Sequence, residues 1–549
     1  MTPAPSPDVS HWLPDPGDPA PLEMSVGALL RRAAIAVPER IALVDACGDA
    51  AIDPRQRRRW TYAELLARVE AVAARLAASV RPGERLAIWA PSSAEWLIAD
   101  LAAALAGVVL VPLNPVSPRS EVTQLLRRAG PAMLLHGREH RGVDLAELAA
   151  GVAAEVGGIE TVAELGELVG TASAVPPAAP LPEVDASAVV QIQFTSGTTG
   201  APKGVLLHHR GLVGMPATAV ELLGLGGPPV WLNVMPLHHI GGCGLSTTGP
   251  LTAFGTQVLS DRFTPERALS LIESERVTVF GSVPTMLIGM LEHPGLSARD
   301  VASLEVVISG GATVSAALVR RIESTLGVRF VVAFGQTECH GHITQTRPTD
   351  ADDDKAETCG RPLPGVEVKL VEPATGVVVP LGAVGEVCTR SPWLMRGYLD
   401  DPAATATVLD ADGFLHTGDL CSMDARGYVT FVGRIKDMIV RGGENISPRE
   451  IEERLREHGA VADVAVIGVP HERLGEVVAA AVCVQPGSRT TVDELAAWAA
   501  AALAAFKVPT EWRLVDALPT TSNGKVHKPS LKAGWEHLPR VDTGLAVEE

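Results

Sequence analysis

Helical and strand-like patterns of hydrophobic residues alternate along the first two thirds of the chain. Thr61 and Glu64 have the spacing of a capping box, which predicts a helix that starts there and runs to about Ala78. The apolar run at 85–89 has the length of a buried strand, and the stretch at 93–106 has a helical period. Helices and strands that alternate on this scale predict an α/β fold, in which helices cover a largely parallel sheet.

Three later apolar runs, at 230–236, 277–284 and 304–312, each end in small residues. Each run is typical of a buried strand that is followed by a tight turn. Because ligands of open α/β sheets bind at the carboxyl ends of strands, we expect a binding site where these runs end.

The pattern changes near Gly360, where short alternating segments are separated by Gly and Pro. These segments, at 366–370, 385–389 and 428–432, predict a small antiparallel barrel or sheet that ends near Gly433. This part of the chain is therefore expected to form a β-rich subdomain of its own.

A further α+β unit is expected after the β-rich part. A helical pattern at 447–458 precedes two apolar runs, at 461–469 and 477–485, and we place the domain boundary near Lys436. The expected units are a tail at 1–24, a large N-terminal domain of α/β sheets at 25–435 with its small β-barrel subdomain at about 360–433, and a C-terminal α+β domain at 436–549.

Three segments lack a clear pattern. The first 24 residues are rich in Pro and Asp, and we expect a tail or a strap over the surface. Residues 150–187 are rich in Ala, Val, Gly and Pro, which suggests a loosely structured segment. The basic run at 55–59 is short, and we interpret it as a solvated loop and not as a binding patch.

Composition narrows the class of protein. A chain of 549 residues is too long for one hydrophobic core, so two or more domains are expected. The net charge of -18 argues against nucleic acid or an anionic membrane as the main partner. The seven cysteines lack CxxC spacing, which favours free thiols in a reducing compartment.

The lack of recognisable targeting signals also favours a cytoplasmic protein. The start of the chain lacks the basic and apolar regions of a signal peptide. The longest apolar run, near 495–506, is too short to span a bilayer. The sequence leaves a homodimer open.

A loop rich in glycine and hydroxyl groups follows the apolar strand predicted at 189–194. Such a loop can surround an anion such as phosphate with N–H groups and hydroxyls. A flexible linker is the alternative, but linkers rarely follow a buried strand directly. A Walker loop is excluded because Lys203 follows Pro202 and precedes Gly204. The residues of this loop that we assign to phosphate binding are Thr195, Ser196, Gly197, Thr198, Thr199, Gly200 and Lys203.

The stretch 195–204 resembles the Thr-Ser-Gly-Thr-Thr-Gly-x-Pro-Lys-Gly signature of the adenylate-forming (AMP-binding) superfamily, which includes acyl-CoA synthetases, adenylation domains and luciferases. Phe334-Gly335-Gln336-Thr337-Glu338 is similar to the family's aromatic-Gly-x-Thr-Glu motif. Thr417-Gly418-Asp419, Arg434 and Lys525 match later family motifs in the same order. The resemblance covers about residues 25 to 535.

The resemblance implies roles in binding ATP·Mg²⁺. Phe334 would stack on adenine, Thr337 would meet the α-phosphate and Glu338 would help to hold the metal. Many members have Tyr at the position of Phe334, so a hydroxyl is lost here while stacking remains. Asp419 would accept hydrogen bonds from the ribose hydroxyls, and Arg434 would donate to the same sugar. The remaining residues assigned to nucleotide binding are Gly310, Gly311 and Ala312, against which a purine could lie flat, and Gly335 and Gln336.

The resemblance also implies a mobile C-terminal domain. Lys525 matches the lysine that reaches the site during adenylation, where a cation offsets charge on the phosphorus oxygens. Lys436 would be the hinge. Gly442, Gly443 and Glu444 resemble the segment that lines the pantetheine tunnel of coenzyme A after rotation. The alternative for that segment is a turn before a helix, with Ser447 as its cap and Pro448 at the first helical position.

The substrate is expected to have an uncharged tail. Relatives that activate amino acids place an Asp after the phosphate loop, and the corresponding stretch 237–244 contains no acid here. By position in the family, the acyl pocket is assigned to His239, Ile240, Gly241, Cys243, Val283, Met286 and Cys339.

The leading hypothesis is an AMP-forming acyl-CoA synthetase for a medium-chain, long-chain or bulky hydrophobic acid, with ATP, Mg²⁺ and coenzyme A. A stand-alone ligase that loads a carrier protein is the second hypothesis. An inactive nucleotide-binding sensor is the third, and the intact motif residues count against it. Oxygenation of the luciferase type stays open.

Overall fold

The computed structural model describes residues 8–171, 180–195, 202–310, 316–442, 444–520 and 526–539. The strands are β1 His11–Trp12, β2 Ile41–Asp45, β3 Arg58–Thr61, β4 Arg85–Trp89, β5 Val109–Leu113, β6 Met133–His136, β7 Glu139–His140, β8 Val143–Asp144, β9 Thr161–Glu164, β10 Val189–Thr195, β11 Lys203–His208, β12 Val230–Asn233, β13 Thr256–Leu259, β14 Val279–Ser282, β15 Val306–Gly310, β16 Arg329–Phe334, β17 Thr344–Gln345, β18 Arg361–Pro362, β19 Glu367–Val371, β20 Gly385–Arg390, β21 Leu415–Met423, β22 Val429–Arg434, β23 Ile439–Arg441, β24 Glu444–Ile446, β25 Val461–His471, β26 Gly475–Val484 and β27 Glu511–Leu514.

The helices cover these strands and connect them. They are α1 Val26–Ala36, α2 Tyr62–Ala77, α3 Ala94–Ala106, α4 Arg119–Ala129, α5 Leu145–Val156, α6 Leu165–Gly170, α7 His209–Glu221, α8 Ser246–Thr252, α9 Pro265–Glu275, α10 Pro284–Leu291, α11 Ala316–Leu326, α12 Asp352–Glu357, α13 Pro402–Ala406, α14 Pro448–Arg456, α15 Val492–Ala500 and α16 Lys528–Gly534. Within the described ranges, no helix is both long enough and apolar enough to cross a membrane.

Two large sheets form the first part of the fold. One has the strand order β11-β10-β5-β4-β6-β9, and its strands are parallel except for the β10–β11 pair. The other has the order β18-β17-β16-β15-β14-β12-β13-β2-β3, with a parallel centre and antiparallel edges. This arrangement confirms the α/β fold that the alternating pattern predicts.

Helix α3 lies at the centre of the hydrophobic core. It is apolar on nearly every face and almost all of its residues are buried, as expected for a helix enclosed by other elements. Helices α1, α2 and α6 pack against it. The predicted capping box at the start of α2 is present, because Thr61 Oγ1 accepts the Glu64 N–H and the Glu64 carboxylate accepts the Thr61 N–H.

A third, antiparallel sheet has the order β1-β19-β20-β21-β22. Its first strand comes from the N-terminal segment, whose Trp12 ring lies against Gly427. A Cβ atom at Gly427 would lie 2.3 Å from that ring, so the close approach requires glycine. The predicted β-rich part therefore forms a sheet that also includes residues from the start of the chain.

The C-terminal part has a sheet of its own, in which β23 pairs with β24 and β26, and β26 pairs with β25 and β27. Helices α14 and α15 share a hydrophobic cluster with it. This sheet meets the preceding one where Ser447 Oγ donates to the Val432 carbonyl oxygen at 2.8 Å. Ser447 thus precedes α14, with Pro448 at its first position, but its side chain does not cap the helix. The α+β character expected for this part is confirmed.

The expectation that residues 150–187 are loosely structured is wrong over much of this range. Helix α5 continues to Val156, β9 extends the six-stranded sheet by pairing with β6, and α6 follows at once. Leu165 and Val169 anchor α6 in the core. Small residues hid this pattern, because they give little hydrophobic contrast between the two faces of a helix.

The expectation of a solvated loop at 55–59 is wrong at Arg57, which is buried, and at 58–59, which belong to β3, although the other side chains of the run are exposed. The Arg57 side chain is only 1% exposed and binds Glu275 on α9 at 2.5 Å. It also donates to the Ala51 carbonyl oxygen at 2.8 Å. Arg59 binds Glu275 as well. Arg57 and Arg59 are thus neutralised by a helix that is distant in sequence, and Arg58 between them pairs with Asp45 and Glu95.

The buried ion pair between Arg57 and Glu275 predicts that the substitution Arg57→Ala will lower the stability of the protein strongly. Removal of the guanidinium leaves the Glu275 carboxylate, which is 5% exposed, with only the partly exposed Arg59 as its charged partner. We expect a loss of about 3 kcal/mol in the free energy of unfolding, measured by urea titration. Arg55→Ala is the matched control, because Arg55 is 89% exposed and should change this free energy by less than about 0.5 kcal/mol. Equal effects of the two variants would contradict this assignment.

Candidate active site

Two glycines at the carboxyl ends of neighbouring strands allow the backbone to pack closely. Strands β15 and β16 are parallel, with Gly310 opposite Ala333. A Cβ atom on Gly310 would lie 2.7 Å from the Ala333 carbonyl oxygen. One on Gly335 would lie 2.2 Å from the Gly341 carbonyl oxygen. Glycine is therefore required at both positions, because neighbouring backbone occupies the space that a side chain would need.

Two aromatic rings lie close together at the end of β16. The rings of Phe334, at the end of β16, and Phe431, on β22, have centroids 6.0 Å apart. The guanidinium of Arg449 lies 5.1 Å from the Phe431 centroid, and it also donates to the Phe431 carbonyl oxygen. Sequence analysis missed Phe431 and Arg449, because an aromatic residue in an alternating strand is indistinguishable from a core residue.

A buried carboxylate and a guanidinium face each other across the β21–β22 ladder. Asp419 and Arg434 are partners in register, and Arg434 Nε lies 2.9 Å from Asp419 Oδ1. Burial raises the pKa of the Asp419 carboxyl, and Arg434 and Lys436 oppose this rise. The turn before Asp419 is fixed because the Asp419 N–H donates to Thr417 Oγ1 at 3.1 Å. Gly418 has φ of +72°, a conformation that favours glycine.

Lys203 and Thr195 fix the two ends of the Gly/Thr-rich loop. They are partners in the antiparallel β10–β11 pair, so the chain leaves and re-enters the sheet at one point. The loop residues 196–201 lie outside the described residues. The described ends of the loop thus lie side by side as one register pair of the sheet.

Tyr398 connects Lys203 to a buried carboxylate. The Lys203 ammonium lies 4.9 Å from the centroid of the Tyr398 ring. The Tyr398 hydroxyl donates to Glu338 Oε1 at 2.9 Å. Burial and the Glu338 carboxylate raise the pKa of this phenol, so it stays protonated as the donor. Cation, aromatic ring and carboxylate thus form one continuous group.

Glu338 has the character of a magnesium ligand. It lies with Thr337 in a buried helical turn, Thr337–Cys339, directly after Phe334–Gln336. One of its carboxylate oxygens accepts the Tyr398 hydroxyl, which leaves the second oxygen to bind a cation. Carboxylate oxygens are preferred ligands of Mg²⁺, so this residue fits the metal that the sequence implies.

Two buried histidines position the segment that carries Tyr398. The backbone N–H of His208 donates to Nε2 of His340 at 3.1 Å. Nδ1 of the same His340 ring lies 2.5 Å from the Trp393 carbonyl oxygen. His340 Nδ1 is therefore the protonated nitrogen. Burial lowers the pKa of His340 to about 3, so the ring is neutral. Gly211 must be glycine here, because a Cβ atom would lie 2.3 Å from the His340 ring.

The residues assigned to the acyl pocket follow three strands of the nine-stranded sheet, and Cys339 is the one that follows β16. His239 and Ile240 precede a π-helical turn, Gly241–Leu245, that follows β12. Val283 and Met286 lie at the start of α10, after β14, which pairs with β12. The side chains of Cys243 and Cys339 are almost fully buried.

A buried amide network lies behind Cys243. Gln193 Nε2 donates to Cys243 Sγ and to Gln191 Oε1, each at 3.0 Å. Gln191 Nε2 donates in turn to Asp100 Oδ1 at 3.0 Å. Asp100 is on the central helix α3, and burial raises the pKa of its carboxyl to about 7. Sequence analysis missed this acid, since the apolar pattern of α3 gives no sign of it.

The remaining assigned residues fall into two groups. Lys436 and Glu444 are exposed, and Gly442 has φ of +58° and donates its N–H to the Leu474 carbonyl oxygen. The assigned residues that lie outside the described part of the chain are Ser196, Gly197, Thr198, Thr199, Gly200, Gly311, Ala312, Gly443 and Lys525.

Comparisons with known proteins agree with this architecture. The family model of AMP-binding enzymes matches residues 30–399, and the model of the AMP-binding enzyme C-terminal domain matches residues 450–525. The chain is 39% identical over 470 residues to a feruloyl-CoA synthase of an Amycolatopsis species, which covers 85% of this chain and 92% of the relative.

Two further similarities extend over nearly the whole chain. The chain is 37% identical over 523 residues, 92% of this chain and 98% of the relative, to the 3-[(3aS,4S,7aS)-7a-methyl-1,5-dioxo-octahydro-1H-inden-4-yl]propanoyl:CoA ligase of Mycobacterium tuberculosis. It also resembles the crystal structure of ATP-bound MatB from Rhodopseudomonas palustris, with a TM-score of 0.84 and 29% identity over 93% of this chain and 99% of that one.

The buried carboxyl of Asp100 predicts a pH-dependent stability. Its pKa of about 7 in the folded protein compares with about 3.9 in an unfolded chain. Between these values the folded state binds more protons than the unfolded state, so stability falls as pH rises. Asp100→Asn keeps the oxygen that accepts from Gln191 and removes the titration. We expect the stability of the natural protein relative to this variant to fall by about 4 kcal/mol between pH 4 and pH 8.

Urea unfolding of the two proteins across this pH range measures the difference. Asp412→Asn is the control, because Asp412 is exposed and its removal should not alter the pH profile. If the unfolding free energies of the natural protein and Asp100→Asn changed in parallel with pH, the raised pKa of Asp100 would be contradicted.

Proposed function

The chain belongs to the family of AMP-binding enzymes, and on that premise we propose that it activates a carboxylic acid with ATP and transfers the acyl group to the thiol of coenzyme A. It is an AMP-forming acid–thiol ligase, like the named relatives. In the first step, a carboxylate oxygen attacks the α-phosphorus of ATP and pyrophosphate leaves. In the second step, the thiol attacks the acyl carbon and AMP leaves.

The observation that carries the proposal is the group formed by Lys203, Tyr398 and Glu338. A triphosphate needs both a cation and a site for its metal ion, and this group offers the two on either side of Tyr398, which contacts Lys203 through its ring and Glu338 through a hydrogen bond. Mg²⁺ bound by Glu338 would offset negative charge on the phosphate oxygens. Lys203 would do the same from the end of the Gly/Thr-rich loop.

The nucleoside would lie on the neighbouring strand ends. Adenine would lie at the strand ends that carry Gly310 and Gly335, with Phe334 stacked on it and Phe431 6.0 Å from that ring. Asp419 would accept from the ribose hydroxyls, and Arg434, whose Nε lies 2.9 Å from the Asp419 carboxylate, would donate to the same sugar. This arrangement supports the nucleotide-binding roles that the motifs imply.

We propose that the acid has an uncharged tail, medium-chain, long-chain or bulky. No residue assigned to its pocket is an Asp or a Glu. An ammonium group desolvated near 237–244 would find no carboxylate in that stretch. Asp100 does not replace it, because its carboxyl is buried behind Cys243 and bonded to Gln191. The names of the two relatives describe bulky acids, which supports this substrate class.

We also propose that the C-terminal part rotates between the two steps, about a hinge at Lys436. This residue is exposed, in the short turn Ile435–Asp437 that connects β22 of one sheet to β23 of the next. Lys525 would complete the first step, and Gly442–Glu444 would line the thiol tunnel in the second. Domain motions of this kind assemble one catalytic arrangement at a time.

A panel of carboxylic acids tests the proposed function. With ATP and Mg²⁺, hydrophobic acids should release pyrophosphate, and the addition of coenzyme A should yield thioester and AMP in equal amounts. Free α-amino acids should be poor substrates. Formation of ADP and phosphate would contradict the mechanism. A strong preference for carrier proteins over coenzyme A would contradict the proposed acceptor.

The variant Lys525→Ala separates the two steps within the same assay. Loss of a cation at the transition state should slow acyl-AMP formation by about 10²–10³-fold. The variant should still convert supplied acyl-AMP and coenzyme A to thioester at nearly the natural rate. Lys532→Ala is the control, because Lys532 is half exposed and bonded to Glu476. Equal loss in both steps for Lys525→Ala would contradict the rotation.

A further inference from the structure

Three side chains of different metal-binding types meet on the antiparallel sheet. Glu386 and Cys388 are two residues apart on β20, so their side chains point to the same face. His416 on β21 is the partner of Cys388 in register. A carboxylate, a thiol and an imidazole are thus brought together by strand geometry.

The distances between these groups are close to those of a metal site. Cys388 Sγ lies 3.3 Å from His416 Nδ1, and the same nitrogen lies 2.9 Å from Glu386 Oε2. All three ligand atoms lie within 4.8 Å of one another. Around a tetrahedral Zn²⁺ with bonds of about 2.0–2.3 Å, ligand atoms are roughly 3.3–3.8 Å apart. Small side-chain movements would therefore suffice.

We propose that Glu386, Cys388 and His416 bind one zinc-type transition-metal ion, with water as the fourth ligand. The site is distinct from the Mg²⁺ site at Glu338, because thiolate and imidazole are ligands of softer metals, whereas Mg²⁺ prefers oxygen. Without the ion, burial and the neighbouring Glu386 raise the pKa of the Cys388 thiol to about 12. Metal binding would replace this proton, which is released to solvent.

The surroundings of His416 support metal binding. Its other ring nitrogen, Nε2, lies 3.6 Å from Asp410 Oδ2, the arrangement by which a carboxylate orients a metal-binding histidine. Two cations lie nearby: Lys369, the register partner of Cys388, is 3.9 Å from the same Asp410 oxygen, and Arg390 is 4.7 Å from the Phe414 centroid. The imidazole is 30% exposed, so an ion can enter from solvent on this side.

The site is connected to the turn that carries Asp419. Glu386 Oε1 accepts the Gly418 N–H at 2.9 Å, and Thr417 Oγ1 donates to the Val387 carbonyl oxygen at 2.8 Å. One carboxylate therefore holds the turn with one oxygen and would hold the metal with the other. If the proposed function is correct, a bound ion will change the affinity for ATP through the ribose contact.

Cobalt binding tests the site without any need for activity. The full chain is stripped with a chelator and titrated with Co²⁺. We expect one equivalent to bind, with tetrahedral visible bands and a thiolate-to-cobalt charge-transfer band in the near ultraviolet, and Zn²⁺ should abolish both. Cys388→Ser should lose the charge-transfer band. Cys421→Ser is the matched control, since this buried thiol lies on β21 of the same sheet, and it should keep the band.

His416→Gln serves as a second variant if Cys388→Ser fails to fold, and it should weaken Co²⁺ binding at least tenfold. Circular dichroism establishes that each variant is folded. Absence of the band in the natural protein, or its persistence in Cys388→Ser, would overturn the proposal and leave only a hydrogen-bonded cluster. These results do not depend on turnover, so they are distinct from a failure of the proposed ligase activity.

Discussion

The hydrogen bond from Tyr398 to Glu338 is the interaction on which the proposed site depends. It joins a carboxylate at the end of the nine-stranded sheet to a ring that faces Lys203 on the six-stranded sheet. Elements of two sheets thus bring a cation, an aromatic ring and a carboxylate into one chain of contacts. Such an arrangement costs desolvation energy, and a triphosphate with its metal ion would offset that cost.

Neutral polar groups provide the rigidity around this interaction. The segment that carries Tyr398 bonds to β11 through the Leu399 N–H, which donates to the Gly204 carbonyl oxygen at 2.7 Å. It is also held by His340, whose low pKa keeps the ring uncharged in the interior. The charged groups therefore lie on a frame that does not change protonation near neutral pH. Asp100 differs from this frame, because burial raises the pKa of its carboxyl to about 7 behind the proposed acyl pocket.

Local patterns predicted the sheets and the capped helix α2, because these depend on periodicity and on residues close together in sequence. Groups that form only in three dimensions were missed. Tyr398, Phe431 and Arg449 carry no motif, and each gains its meaning from a partner on another strand or helix. Arg57 was misjudged for the same reason, since only the distant Glu275 makes its burial favourable. The roles assigned to the motif residues stay predictions.

Transfer of oxygen from substrate to nucleotide tests the central claim most directly. An acid that supports turnover is labelled with ¹⁸O in both carboxylate oxygens and incubated with ATP, Mg²⁺ and coenzyme A. If the carboxylate attacks the α-phosphorus, mass spectrometry will find one ¹⁸O in the AMP and one in the thioester. Unlabelled AMP, or label in pyrophosphate or phosphate, would contradict the account.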